Sequence, residues 1–144
     1  MKNIIIIRIL KFVPVIIMAQ TFYFKFTGAE ESIKLFSKLV CGDFNAVCPN
    51  EVYMRIGTGV FEFIACVLIL IPNLTYIGSI LGLGLMAGAI FSHLTVIGIE
   101  SQGDGGLLFY YALVAFICCL ILCIINFQKY KNIYCKVFKK NCCK

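Results

Sequence analysis

The sequence predicts an all-α, polytopic membrane protein: a four-transmembrane-helix bundle with a short amphipathic surface helix after the first span. Three observations carry this prediction. Of 144 residues, 61% are hydrophobic and 14% charged, and the mean hydropathy is +0.96. Soluble domains run at roughly 45–50% apolar and about 25% charged, so this much apolar surface calls for a lipid solvent. Second, four stretches reach the ~20 apolar residues that a helix rising ~1.5 Å per residue needs to cross a ~30 Å hydrocarbon core. Third, only Pro72-Asn73 separates the second stretch from the third, which forces an antiparallel hairpin.

The first span is expected over residues 4–24. Arg8 and Lys11 lie near its start, where long side chains can snorkel to the headgroups. These charges interrupt the apolar run and no small-x-small cleavage site follows, so the segment reads as a retained helix rather than a signal peptide. Pro14 is tolerable in a bundle whose neighbours compensate for the lost backbone bond. The next segment, 30–40, reads EESIKLFSKLV. Its Ile33, Leu35, Phe36, Leu39 and Val40 cluster toward one side at helical spacing, which predicts a helix lying along the bilayer surface or capping the bundle. The second span is expected over 52–71, the third over 74–97 and the fourth over 106–127. A basic, cysteine-containing tail, 129–144, follows the transmembrane domain of residues 1–128.

Charge sets the orientation. The formal net charge is +6, and six of the thirteen basic residues stand behind the last apolar segment: Lys129, Lys131, Lys136, Lys139, Lys140 and Lys144. That clustering reads as a topology signal with anionic lipid contact rather than as a nucleic-acid footprint. With Lys2, Arg8 and Lys11, the side holding both termini collects nine basic residues, against Lys25, Lys34, Lys38 and Arg55 on the other. The positive-inside rule therefore puts both termini in the cytoplasm. Usage rich in isoleucine, lysine and asparagine points to a bacterial cytoplasmic membrane.

Nine cysteines raise the question of a disulfide or metal scaffold. Cys66, Cys118, Cys119 and Cys123 fall inside spans, where a thiol behaves as a small apolar residue. Cys135, Cys142 and Cys143 fall in the tail. Cys41 and Cys48 share the outer segment and could close a disulfide ring in an oxidising compartment. Their spacing is not the C-x-x-C of a redox motif, and the adjacent pair near the C-terminus is too little for zinc. No metal site is expected. The third span is rich in small residues, with Gly78 and Gly82, and Gly84 and Gly88, each four apart. Such pairs permit close helix packing inside the bundle or in a homo-oligomer.

The intramembrane ionisable groups are the candidate site. An unpaired carboxylate in the bilayer core costs roughly 2.5–3.5 kcal/mol on insertion scales, so Glu62 must find a partner. Arg55 precedes it by two helical turns, with Gly59 between them on the same face. Lys25 and His93 share the outer half of the bundle with this pair. Lys25, Arg55, Glu62 and His93 could therefore line a polar cavity opening outward. Either they form a network fixing helix register, or they bind a small molecule or quinone headgroup, or they carry protons. No nucleophile triad, phosphate loop or bound redox centre is evident, and the question of an enzyme stays open.

The chain resembles the DoxX-like family of small four-helix membrane proteins. The matching pieces are Lys25-Phe-Thr-Gly28, Phe36 and Leu39, Arg55-x-Gly57, Glu62, Leu70-Ile71-Pro72, and Met86-x-Gly88-Ala89-x-x-x-His93-Leu94. The resemblance implies association with respiratory or sulfur-linked redox systems, a membrane oxidoreductase partner and quinone as the one cofactor in view. Other members of that family act in assembly. The long lysine-rich tail departs from the family's usual short ending. The alternatives are a non-enzymatic assembly or binding protein, or a small-solute carrier, which four helices could form only as an oligomer.

Overall fold

A computed structural model describes residues 2–137 of the chain. It contains five α-helices in the order α1 (Lys2–Thr27), α2 (Glu30–Cys41), α3 (Glu51–Leu70), α4 (Thr75–Ser92) and α5 (Leu107–Val137), with a π-helical turn at His93–Ile97 extending α4. No strand occurs among the described residues. Four segments, Ile5–Thr27, Glu51–Leu70, Thr75–Ile97 and Leu107–Phe127, are long and apolar enough to cross a membrane. They mark an integral membrane protein.

The long helices pack in a ring, α1 on α3, α3 on α4, α4 on α5 and α5 back on α1, and α2 caps one end against α3 and the π-helical turn. The core is made of modest side chains: Met18, Ala65, Cys66, Ile69, Met86, Ala112, Ala115, Cys119 and Leu122. Large apolar side chains point outward instead, with Ile16 62%, Phe91 66% and Ile124 67% exposed. This inverts the soluble pattern because lipid, unlike water, imposes no cost on an exposed isoleucine, and association relies on close packing of small groups. On α3 the inward stripe is Glu51, Arg55, Gly59, Glu62, Cys66 and Ile69, spaced by three or four residues.

The sequence has physical reasons for its turns. α1 ends at Gly28 (φ +67°), and the Ala29 N–H reaches back to the Phe24 carbonyl at 3.1 Å, a closing bond that favours glycine in the left-handed position. α2 ends likewise at Gly42 (φ +79°), whose N–H bonds the Lys38 carbonyl at 2.9 Å. In the α3–α4 hairpin, a Cβ on Gly78 would stand 2.6 Å from the Ile69 nitrogen and 2.8 Å from the Leu68 carbonyl carbon, so only glycine fits. Lys11 donates to Thr75 Oγ1 at 2.7 Å, and the Thr75 hydroxyl lies 3.1 and 3.0 Å from the carbonyls of Ile69 and Ile71. Lys11 thus fastens α1 to the hairpin.

The predicted elements appear with shifted edges. α1 runs on to Thr27, α3 begins at Glu51, and α5 continues beyond the fourth span to Val137, so the first part of the basic tail is helical. Lys139, Lys140, Cys142, Cys143 and Lys144 lie outside the described residues. Cys41 and Cys48 are joined in a disulfide with Cα atoms 6.3 Å apart. Cys66 and Cys119 are free and buried, and Cys118 and Cys123 are free and half-buried.

Candidate functional site

Thr21 and Lys25 lie one turn apart on α1 and face the inward stripe of α3. Lys25 Nζ stands 2.5 Å from Glu62 Oε1, and Thr21 Oγ1 donates to Glu62 Oε2 at 3.1 Å. Both carboxylate oxygens are therefore engaged from α1, and the Glu62 side chain is 5% exposed. A buried pair of this kind is neutral overall, and removing one member would strand the other charge. The ammonium of Lys25 also sits 5.6 Å from the centre of the Phe36 ring on α2, within cation–π range.

Arg55 belongs to a second cluster. Its Nε donates to Glu51 Oε2 at 2.9 Å and its second terminal nitrogen reaches Glu51 Oε1 at 3.3 Å, a two-pronged contact that suits the guanidinium plane. The remaining terminal nitrogen donates to the Lys25 carbonyl. Arg55 therefore turns away from Glu62 toward the end of α1, where Gly28 brings the backbone close. Gly59, between Arg55 and Glu62, gives its space to α1: a Cβ there would stand 3.5 Å from Lys25 Cβ and 3.6 Å from the Phe26 ring. The expected Arg55–Glu62 contact is replaced by two pairs stacked along one face, Arg55–Glu51 and Lys25–Glu62.

Aromatic rings also join α1 and α3. Phe22 packs edge-on against Phe26 at 5.8 Å and against Phe63 at 5.6 Å. Phe26 and Phe63 are 44% and 50% exposed, so this cluster bridges α1 and α3 and reaches the outer surface.

His93 stands apart from these residues. Its Nδ1 lies 2.8 Å from the Gly98 carbonyl oxygen, its ring packs edge-on against Phe109 at 6.0 Å, and it is 5% exposed. No hydrogen bond or ion pair joins it to Lys25, Arg55 or Glu62 among the described residues. The same end holds the loop of residues 98–106, organised by Asp104. That carboxylate accepts the N–H groups of Ser101 at 2.8 Å, Gly106 at 2.9 Å and Leu108 at 3.2 Å. Partial burial pushes the Asp104 pKa up, but these backbone donors, with the nearby His93, outweigh it and hold the group below the usual carboxylate value.

Of the four predicted site residues, then, the structure brings Lys25 to Glu62, places Arg55 one layer nearer the capped end, and leaves His93 with the 98–106 loop. Sequence reasoning passed over Glu51, Thr21 and Asp104. The first two carried a signal: Glu51 precedes Arg55, and Thr21 precedes Lys25, by four residues, the spacing that puts side chains on one helix face. No cluster of three or more metal-ligating side chains occurs among the described residues. A shallow groove of about 380 Å³ on α3 and α4, lined by Phe61, Ile80, Leu81, Gly84 and Leu85, is apolar and contains none of the charged residues. The paired charges can hold a polar group at a fixed depth, but they present no nucleophile and no electron carrier. Comparison with protein-family models, with curated proteins and with solved structures matched this chain to none of them.

Proposed function

We propose that this chain is a membrane subunit of a redox system that holds the head of a quinone-like lipid beside Lys25 and Glu62. The observation that carries the reading is the Lys25–Glu62 pair itself, buried between α1 and α3, two helices that also carry the half-exposed rings of Phe26 and Phe63. An intramembrane ion pair is costly to keep and is by default a functional hypothesis. A quinone carbonyl would accept a hydrogen bond from the Lys25 ammonium, the Phe22–Phe26–Phe63 cluster would take the ring, and the isoprenoid tail would stay in lipid. Arg55 and Glu51 would hold the end of α1 in place for this contact. The resemblance of residues 25–94 to the DoxX-like family supports the redox setting and a membrane oxidoreductase as partner.

The proposed orientation has both termini in the cytoplasm of a bacterial cell and α2 outside. It is supported by the basic-residue asymmetry and by the Cys41–Cys48 disulfide, a bond characteristic of oxidising compartments. A homo-oligomer through α4 would use Gly84 and Gly88, at which a Cβ meets nothing within 4 Å, rather than Gly78 and Gly82, which face the bundle.

The test is thermal unfolding in nanodiscs with and without short-chain ubiquinone and menaquinone analogues, for wild type, Glu62→Gln and Lys25→Met. A ligand that binds the folded state raises its stability by mass action. A quinone-dependent shift lost in either variant supports the reading. Earlier melting of both variants with no shift in wild type overturns it and leaves the second reading, a non-enzymatic assembly or binding protein. That reading is favoured by the mutual saturation of the two ion pairs.

A further inference from the structure

The segment between the first two spans is built as a rigid piece between two joints. α2 is a helix of 12 residues, bounded by Gly28 (φ +67°) and Gly42 (φ +79°), positions where the chain can reverse direction because glycine tolerates the left-handed conformation. Its buried side places Phe36 over the Lys25 ammonium at 5.6 Å, with Ser37 beside it at 2% exposure. Its attachments outside that face are few. Gln102 Nε2 donates to the Glu31 carbonyl at 3.0 Å in an exposed position, and the helix's last residue, Cys41, is bonded to Cys48. Cys48 is 6% exposed, and its carbonyl accepts the Glu51 N–H at 3.1 Å, so it is anchored to the start of α3. Cys41 is exposed.

We infer that α2 is a lid over the Lys25–Glu62 pair, that the Cys41–Cys48 disulfide is its clasp, and that a dithiol protein on the same side of the membrane opens it. The inference deepens the proposed ligand site and rests on that reading for what enters, though not for the movement of α2. A thiolate of the partner attacks the exposed Cys41 sulfur and the Cys48 thiolate leaves, taking up a proton. The partner's second thiol then attacks the mixed disulfide and releases Cys41. The partner dithiol is oxidised to a disulfide, the clasp is reduced to two thiols, and two electrons pass. With the covalent tie gone, α2 is held among the described residues by its apolar face, the Phe36–Lys25 contact and one exposed hydrogen bond. It can then swing on Gly28 and uncover the ammonium that Phe36 shields.

The experiment is hydrogen–deuterium exchange of the full chain in nanodiscs, read on peptides covering residues 30–41 and 59–69. Three samples are compared: oxidised wild type, wild type reduced in place by reduced thioredoxin or by a phosphine, and the Cys41→Ser/Cys48→Ser variant. Reduction in place starts from folded protein, so the result does not depend on the variant's folding. The expected result is exchange in 30–41 about tenfold faster or more once the clasp is open, with 59–69 unchanged, as for local opening of one segment. Unchanged exchange in 30–41 after verified reduction overturns the lid. Reduction by the phosphine but not by thioredoxin overturns the exchange step. A quinone analogue added to the same samples separates the two readings. Faster binding after reduction supports both, and equal binding in both redox states overturns the lid's control of entry. Absence of binding in either state, with 30–41 mobilised, removes the quinone reading and leaves the clasp standing.

Discussion

Lys25 and Glu62, 37 residues apart in the chain, meet at 2.5 Å inside the bundle, and each is the other's charge partner. Breaking the pair from one side strands a buried charge. Lys25→Met or Glu62→Leu alone is expected to destabilise the protein by about 3–5 kcal/mol, whereas the double substitution recovers much of that loss. Reversible unfolding in mixed micelles, analysed as a double-mutant cycle, checks this. Additive losses would mean that the two residues do not depend on each other.

Arg55 bonds Glu51 through two nitrogens and the Lys25 carbonyl through a third. Lysine cannot reproduce that fork. Arg55→Lys should therefore cost on the order of 2 kcal/mol, the range for hydrogen bonds to charged groups. It should also speed hydrogen exchange at residues 25–29, where α1 loses its anchor. A variant with wild-type stability and exchange would count against the anchoring role.

The two glycine pairs of α4 should respond differently. Gly78→Val forces a side chain into the backbone at Leu68 and Ile69 and should cost roughly 1–3 kcal/mol or more by overpacking. Gly84→Val projects into open space and should leave the melting temperature of the monomer nearly unchanged. Parallel melting curves in nanodiscs decide the matter, and equal sensitivity at both sites would contradict the packing described.

Asp104 closes the 98–106 loop and caps the start of α5. Its folded pKa lies below its ordinary value of 3.8. The unfolded chain therefore binds the proton more readily, and the stabilisation is complete above about pH 5 and is lost as pH falls through the folded pKa. Asp104→Asn should flatten that acid limb. Asp104→Ala should cost about 1 kcal/mol at neutral pH, as for loss of a helix cap. Unfolding followed from pH 3 to 7 tests both statements.

The spans, the Pro72-Asn73 hairpin and the amphipathic α2 were legible because they depend on local hydropathy and periodicity, which the sequence carries openly. The partner of Glu62 was not. Arg55 shares its helix face, but which residue of α1 meets that face depends on the rotation and depth of a separate helix, set by packing around Met18, Gly59 and Gly82 rather than by any local pattern. Glu51–Arg55 was readable at four-residue spacing. His93 was misjoined because the π-helical turn at His93–Ile97 widens the end of α4 and ties the imidazole to Gly98, a change that hydropathy does not reveal.

α5 has a geometric consequence for the basic tail. The fourth span ends at Phe127, but the helix runs on to Val137, and ten further residues at ~1.5 Å each make a stiff mast of about 15 Å. On a helix near the membrane normal, the Cα of Lys129 stands about 3 Å past the span's end and that of Lys136 about 13 Å past it. Electrostatic attraction to anionic headgroups fades over a screening length of about 8 Å at physiological salt. One cluster of lysines therefore divides by height, and on such a helix the attraction of the headgroups is weaker at the backbone of Lys136 than at that of Lys129.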